Sequence, residues 1–190
     1  MRIVCPTLAG ARMACGDSCP QETENSMKDK SRSIDLLNKA VADELQAVHQ
    51  YMYFHFHLDD QGFGPLSGLF KQIAIQEMGH LERLAERILF LGGDVEMELA
   101  GKVEKITDPE KMVAKAAQME EQSAHDYNES ALEANKNADS ASKQMFEQLV
   151  ADEEGHFDEF DKQLDHIKRF GPSYLALQSF NKTPEGGSEG

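Results

Sequence analysis

Basic residues are scarce in this chain. Only 19 Lys and Arg stand against 34 Asp and Glu, a formal net charge of -15 over 190 residues. Such a surface repels phosphates, which argues against electrostatic wrapping of nucleic acid, and it suits the collection of cations. Any run of 18 apolar residues is also missing, so no membrane span is expected. Cysteine is sparse: Cys5, Cys15 and Cys19 are all there is, and all lie in the first 20 positions. No disulfide framework can therefore hold the remainder, as befits a reducing, cytoplasmic setting. Cys15 and Cys19 are spaced C-x-x-x-C, and no further His or Cys completes a zinc site around them. Alternating segments of the β type are absent too, which leaves an all-α chain as the expectation.

With 40% hydrophobic and 28% charged residues, the composition is that of an ordinary globular protein with one sizeable domain. Residues 1–33 read as a disordered N-terminal extension. Pro6 and Arg12 interrupt its mildly apolar part, so it lacks the clean stretch of a secretory signal. Met27, followed by the basic Lys28-Asp29-Lys30, is a candidate alternative start. The domain proper is expected over 34–180, and 181–190 reads as a disordered polar tail.

Inside the domain the apolar residues recur every three or four positions, the period of a helix with one buried stripe. The first helix is expected to start at Ser33 as its cap. It carries Leu37, Val41, Glu44, Val48, Tyr51 and His55 on one face and ends at Gly62-Phe63-Gly64-Pro65. The second carries Phe70, Ile73, Glu77, His80, Leu84 and Ile88 and closes at Gly92-Gly93. A long connection then reaches Thr107-Asp108-Pro109-Glu110, a helix start with proline in its first turn. The third helix shows Val113, Ala116, Glu120, Ala124, Tyr127 and Ala131 on one face. The fourth, from about Ala141 to Phe170, shows Phe146, Leu149, Glu153, His156, Phe160, Leu164 and Ile167. Gly171-Pro172 stops it, and Ser173 to Phe180 is expected to form a short fifth helix. A long link between helices two and three crosses the bundle, whereas short links join antiparallel neighbours.

One pattern occurs twice. Glu44 is followed 33 positions later by Glu77-Met78-Gly79-His80, and Glu120 by Glu153-Glu154-Gly155-His156 at the same distance. The two copies are offset by 76 residues, an offset that also lays His49 on His125 and Tyr51 on Tyr127. One E-x-x-H on a helix is a weak signal. Two, each preceded at equal distance by a Glu, form the ligand inventory of a carboxylate-bridged pair of metals in a four-helix bundle. All six residues fall within apolar stripes rather than opposite them. Four carboxylates gathered in a core repel one another and lose hydration, at several kcal/mol for each unpaired charge. Two divalent cations cancel the four charges, and two neutral imidazoles complete the set. Pseudo-symmetry assigns Glu44 and His80 to one metal, Glu120 and His156 to the other, and Glu77 and Glu153 as bridges. The neighbouring Glu121 is set aside because Glu44 and Glu120 each precede a Tyr by seven residues. Mixed oxygen and nitrogen ligands with open positions suit iron or manganese and oxygen chemistry. Tyr51 and Tyr127 are candidates to hold ligand carboxylates in place.

These segments resemble bacterioferritin over roughly 34–180. The likeness is carried by Asp43-Glu44-Leu45-Gln46-Ala47-Val48-His49-Gln50-Tyr51, by Glu77-Met78-Gly79-His80 running on to Glu86-Arg87-Ile88-Leu89-Phe90-Leu91, by Asp152-Glu153-Glu154-Gly155-His156, and by Tyr174-Leu175-Ala176-Leu177-Gln178. The resemblance implies a ferritin-like four-helix bundle and a hollow shell of 24 subunits. It implies two iron ions per subunit on the same six ligands, oxidation of Fe(II) by dioxygen or hydrogen peroxide, storage of ferric mineral, and a ferredoxin-type reductase for release. It also implies haem b shared by two subunits through Met78. The sequence departs from many relatives at Gln72 and Gln76, where a His and an Asp are usual on the inner surface, and at His49, where Asn is usual. The run Phe54-His55-Phe56-His57 is unusually rich in His, and its two imidazoles cannot share a helical face.

Two other readings fit the bundle. A rubrerythrin-like di-iron peroxidase usually carries a rubredoxin module with paired C-x-x-C motifs, and none occurs here. A Dps-like shell of 12 subunits builds its iron sites between subunits and often binds DNA with basic tails; Lys28, Lys30 and Arg32 are few against the acidic total.

Overall fold

Residues 21–180 are described by a computed structural model of the chain. They form five helices: α1 (Gln21–Asp60), α2 (Gly64–Leu91), α3 (Pro109–Lys136), α4 (Ser140–Phe170) and α5 (Pro172–Phe180), with no strand among the described residues. The expected all-α bundle and its element order are what the structure shows. α1 packs chiefly on α2, and α3 on α4, as two helical hairpins that meet face to face; α5 rests on α2 and α4.

The helix ends follow local chemistry. Gly92, with φ 84°, caps α2 in the left-handed conformation that glycine adopts without strain. The Asp108 carboxylate accepts from Lys111 N at 2.9 Å and so starts α3 beside Pro109. Asp139 does the same for α4 through Ser142 N at 3.1 Å.

The first helix begins earlier than the sequence suggests. Its backbone is helical from Gln21, so Ser33 is a buried interior helical residue rather than the cap of a free end. Between Gln21 and Ser33 there is neither Pro nor Gly to stop a helix. Residues 1–20 and 181–190 of the expected extension and tail lie outside the described residues.

The 92–108 connection is laid along α1 by side-chain amides that imitate strand pairing. Buried Gln50 donates to Glu104 O at 2.9 Å and accepts from Glu104 N at 2.7 Å. Asn38 donates to Asp94 O and accepts from Glu96 N, both at 3.0 Å. Gln46 accepts from Gly101 N at 3.1 Å. Irregular backbone thus finds partners for several of its polar groups on α1.

Two apolar clusters fill the bundle, one above and one below its middle. Tyr51, Phe54, Phe70 and Phe160 centre the first; Leu37, Leu84, Tyr127 and Phe146 centre the second. The 76-residue offset survives in the packing, since Tyr51 meets Phe70 at 5.8 Å between ring centroids and Tyr127 meets Phe146 at 6.1 Å. Removing the ring in Phe70→Ala should cost about 3–5 kcal/mol of subunit stability. Denaturant unfolding of the metal-free protein measures it, and a loss below about 1 kcal/mol would mean that the cluster is loosely packed.

Candidate metal centre

Between the two clusters, at mid-bundle, sits a layer of polar side chains. Glu44 comes from α1, Glu77 and His80 from α2, Glu120 from α3, and Glu153 and His156 from α4; all six are buried. Each lies there because its helix turns the stripe that carries it inward. Glu121, one position on, is exposed. Glu44, Glu77, His80 and Glu153 each offer a ligand atom within 4.8 Å of the others, and so do Glu77, Glu120, Glu153 and His156. The shared pair is Glu77 and Glu153, the two that the repeat casts as bridges. The imidazoles of His80 and His156 face each other across the pseudo-two-fold, 5.6 Å apart and 18° from parallel.

Contacts inside the layer are close and ill-matched. His80 Nδ1 lies 2.8 Å from Glu77 Oε2, 3.0 Å from Glu153 Oε1 and 3.4 Å from Glu44 Oε1. Yet His80 Nδ1, both oxygens of Glu77 and Glu153 Oε1 lack a partner with hydrogen-bond geometry. Short distance without alignment is charge proximity, not bonding. Buried polar atoms in that state are costly, and a cation at the focus would satisfy them together. The donor set, carboxylate oxygens with two imidazole nitrogens, fits iron or manganese.

Protonation follows the same crowding. Burial pushes the Glu44 and Glu120 carboxyls well above the usual range; partner imidazoles pull them down and neighbouring carboxylates push them up. Burial also opposes charge on Glu153, but His156 and His80 outweigh it and bring its value down to about 2. Burial alone would lower His80, but the surrounding Glu153, Glu44 and Glu77 raise it to about 12. His156 is raised in the same way, against burial, by Glu120, Glu153 and Glu77.

The tyrosines cross over. Tyr127 on α3 donates to Glu44 Oε1 on α1 at 2.7 Å, and Tyr51 on α1 donates to Glu120 Oε1 on α3. Burial pushes both phenols well above their ordinary value, so both stay protonated donors at neutral pH. Each tyrosine therefore holds the terminal carboxylate of the other half, tying the hairpins together at the site. Tyr51→Phe should leave the bundle folded and weaken divalent-cation binding by about 10-fold or more, the usual cost of losing a partner that orients a ligand. Calorimetric titration with Co(II) measures it.

Met78 is 55% exposed on α2 and takes no part in the layer. His49 and His125 are both exposed, so the repeat that links them does not bring them to the site. His55 packs against Ser67, with Nδ1 2.8 Å from its hydroxyl, while His57 stands over Tyr53 at 4.3 Å between ring centroids. Gln76 lines a recess of about 520 Å³ that opens onto both imidazoles between α2 and α4. Asp152 and Arg83 line it too, and Asp152 reaches His80 from behind: Oδ2 is 3.4 Å from Nε2. Sequence reasoning gave neither Asp152 nor Arg83 a role; the signal available for Asp152 was that it directly precedes Glu153 and falls, by the 76-residue offset, on Gln76.

Bundle, crossover and buried carboxylate layer together define a ferritin-like protein. The Ferritin-like domain family matches residues 34–170. Bacterioferritin of Desulfovibrio desulfuricans is 36% identical over 147 residues, covering 77% of this chain and 82% of that protein. The bacterioferritin of Brucella melitensis is 36% identical over 146 residues, covering 76% and 90%. A crystal structure of the Desulfovibrio desulfuricans protein, made to follow its diiron site in different catalytic states, superposes with a TM-score of 0.82 at 33% identity, covering 87% of this chain and 97% of that one. The chain belongs to the bacterioferritin family.

Proposed function

We propose that this protein is a ferroxidase and iron store: it takes up Fe(II) at an intra-subunit pair of positions, oxidises it to Fe(III), and holds the product as mineral inside a shell of 24 copies. The observation that carries the reading is the pair of overlapping quartets, one completed by Glu44 and His80, the other by Glu120 and His156, sharing Glu77 and Glu153. Two Fe(II) ions bound side by side supply two electrons to dioxygen or hydrogen peroxide. The protein's part is to hold that pair in fixed geometry, with charge balanced and bulk water largely excluded. Tyr51 and Tyr127 keep the terminal carboxylates aimed, and the recess lined by Gln76 and Asp152 gives small solutes a way to the imidazoles.

Met78, accessible on the outer side of α2, would ligate haem b jointly with its counterpart in a second subunit, where haem supplies a one-electron centre. A ferredoxin-type reductase would return electrons for iron release. No described helix is long and apolar enough to cross a membrane, and we place the shell in the cytoplasm, without a nucleic-acid partner.

Aerobic addition of Fe(II) to the metal-free protein tests the reading. Rapid growth of ferric absorbance, with a light-scattering mass of 24 subunits that persists as iron accumulates, is expected. A 12-subunit mass, or oxidation no faster than in protein-free buffer, would contradict it. A Soret band in the purified protein would mark bound haem.

A further inference from the structure

The repeat that lays Glu44 on Glu120 and His80 on His156 also pairs residues that ligation does not use. Gln76 falls on Asp152, and Arg83 falls on Glu159. All four line the same recess, beside both imidazoles. The two halves of the site are thus alike in their ligands and unlike in what stands behind them.

Behind His80, Asp152 sets Oδ2 3.4 Å from Nε2, and Arg83 Nη2 grips that same oxygen at 2.9 Å. By the same offset the counterpart of Asp152 is Gln76, an uncharged amide that lines the recess with His156. Glu159 does not stand in for it, since the ion pairs of His156 run to Glu77, Glu120 and Glu153. Both inner nitrogens face carboxylates, but their alignment differs. His80 Nδ1 has no hydrogen-bond partner and faces the carboxylate cage, whereas His156 Nδ1 is engaged by Glu153 Oε2 at 3.2 Å. A carboxylate facing Nε2 keeps the imidazole proton there, frees the Nδ1 lone pair for a cation, and makes the ligand more basic. An amide does this less well because it carries no charge.

We infer that Asp152, braced by Arg83, is a positioning residue for His80 that makes the Glu44–His80 position the tighter of the two cation sites, while Gln76 leaves the Glu120–His156 position the weaker. Two divalent cations then load in order, the first beside His80. This rests on the di-metal reading proposed above.

Co(II), which accepts the same oxygen and nitrogen donors, is the probe. Titrated into the assembled, metal-free protein and followed by calorimetry and visible absorption, it should bind in two resolved steps, two ions per subunit. Asp152→Asn keeps the shape and removes the charge; it should weaken the first step by about 10–100-fold and leave the second unchanged. Gln76→Asp supplies the missing carboxylate and should tighten the second step until the two merge. Arg83→Gln should weaken the first step by less than Asp152→Asn does. Melting temperatures of the metal-free variants should match the parent's, which separates positioning from a folding effect. Two ions per subunit with equal affinities in the parent, or equal weakening of both steps by Asp152→Asn, or no weakening, would overturn the inference and leave the di-metal reading standing. A parent that takes up no Co(II) would overturn both.

Discussion

Glu120→Ala should all but abolish rapid Fe(II) oxidation while the protein still folds and assembles. Glu120 is the terminal carboxylate of one quartet, buried to 1% exposure and held by Tyr51. On the proposed reading its loss removes a ligand outright, so the fall in initial rate should exceed the about 10–100-fold that follows loss of a residue merely supporting a ligand. Stability should move differently. In the metal-free protein, burial raises the Glu120 carboxyl and Glu77 and Glu153 raise it further. The side chain therefore serves the cation rather than the bundle, and removing a buried group of this kind relieves repulsion. Glu120→Gln, which keeps the volume, should leave the metal-free melting temperature equal or higher and abolish the rise that divalent cations give the parent. Stopped-flow absorbance and calorimetry measure the two quantities. An unchanged initial oxidation rate in Glu120→Ala would remove Glu120 from the site.

Cation loading should release protons and tighten as pH rises. His80 and His156 must be neutral to ligate, and Glu44 and Glu120 must be ionised, yet all four have folded-state values raised above their ordinary ones. For His80 the window runs from its unfolded value of 6.5 to about 12, where the metal-free site keeps a proton that a free imidazole would have lost. A raised imidazole value stabilises the metal-free fold fully below 6.5, and that contribution fades as pH climbs through the folded value. The raised carboxyls act in the same direction, because ionising them in place destabilises the metal-free fold as pH rises above their unfolded range. A cation has to displace these protons, so its affinity grows with pH. Co(II) titrations between about pH 6.5 and about pH 8.5 should show affinity rising by more than about tenfold per pH unit, which requires more than one displaced proton. Calorimetry in buffers of different ionisation enthalpy counts them. Affinity independent of pH would mean that the site is already deprotonated before metal arrives.

The bundle was legible because its signals are local and repeated. Stripes at helical spacing, Gly92 behind α2, and Asp108-Pro109 ahead of α3 each act within a turn of their own position. The convergence of six buried Glu and His side chains was legible for a different reason: the 76-residue repeat isolates them from the chain's many other acids, and it separates buried Glu120 from exposed Glu121. What stayed hidden depends on approach between segments distant in sequence. Nothing near Gln50 says that its amide will bind Glu104, and nothing near Tyr51 says that it will serve Glu120 rather than a closer carboxylate. Nothing near Asp152 in the sequence says that it will stand behind His80. The start of α1 was misplaced because Ser33 has the chemistry of a cap, and only the fold shows the chain continuing as helix before it.

The most direct measurement is anomalous scattering from a crystal loaded anaerobically with Fe(II). Two iron peaks per subunit are expected at mid-bundle, one beside Glu44 and His80, the other beside Glu120 and His156, with Glu77 and Glu153 reaching both. A single peak, no peak, or iron bound with Glu44 or Glu153 turned to bulk water would contradict the paired site.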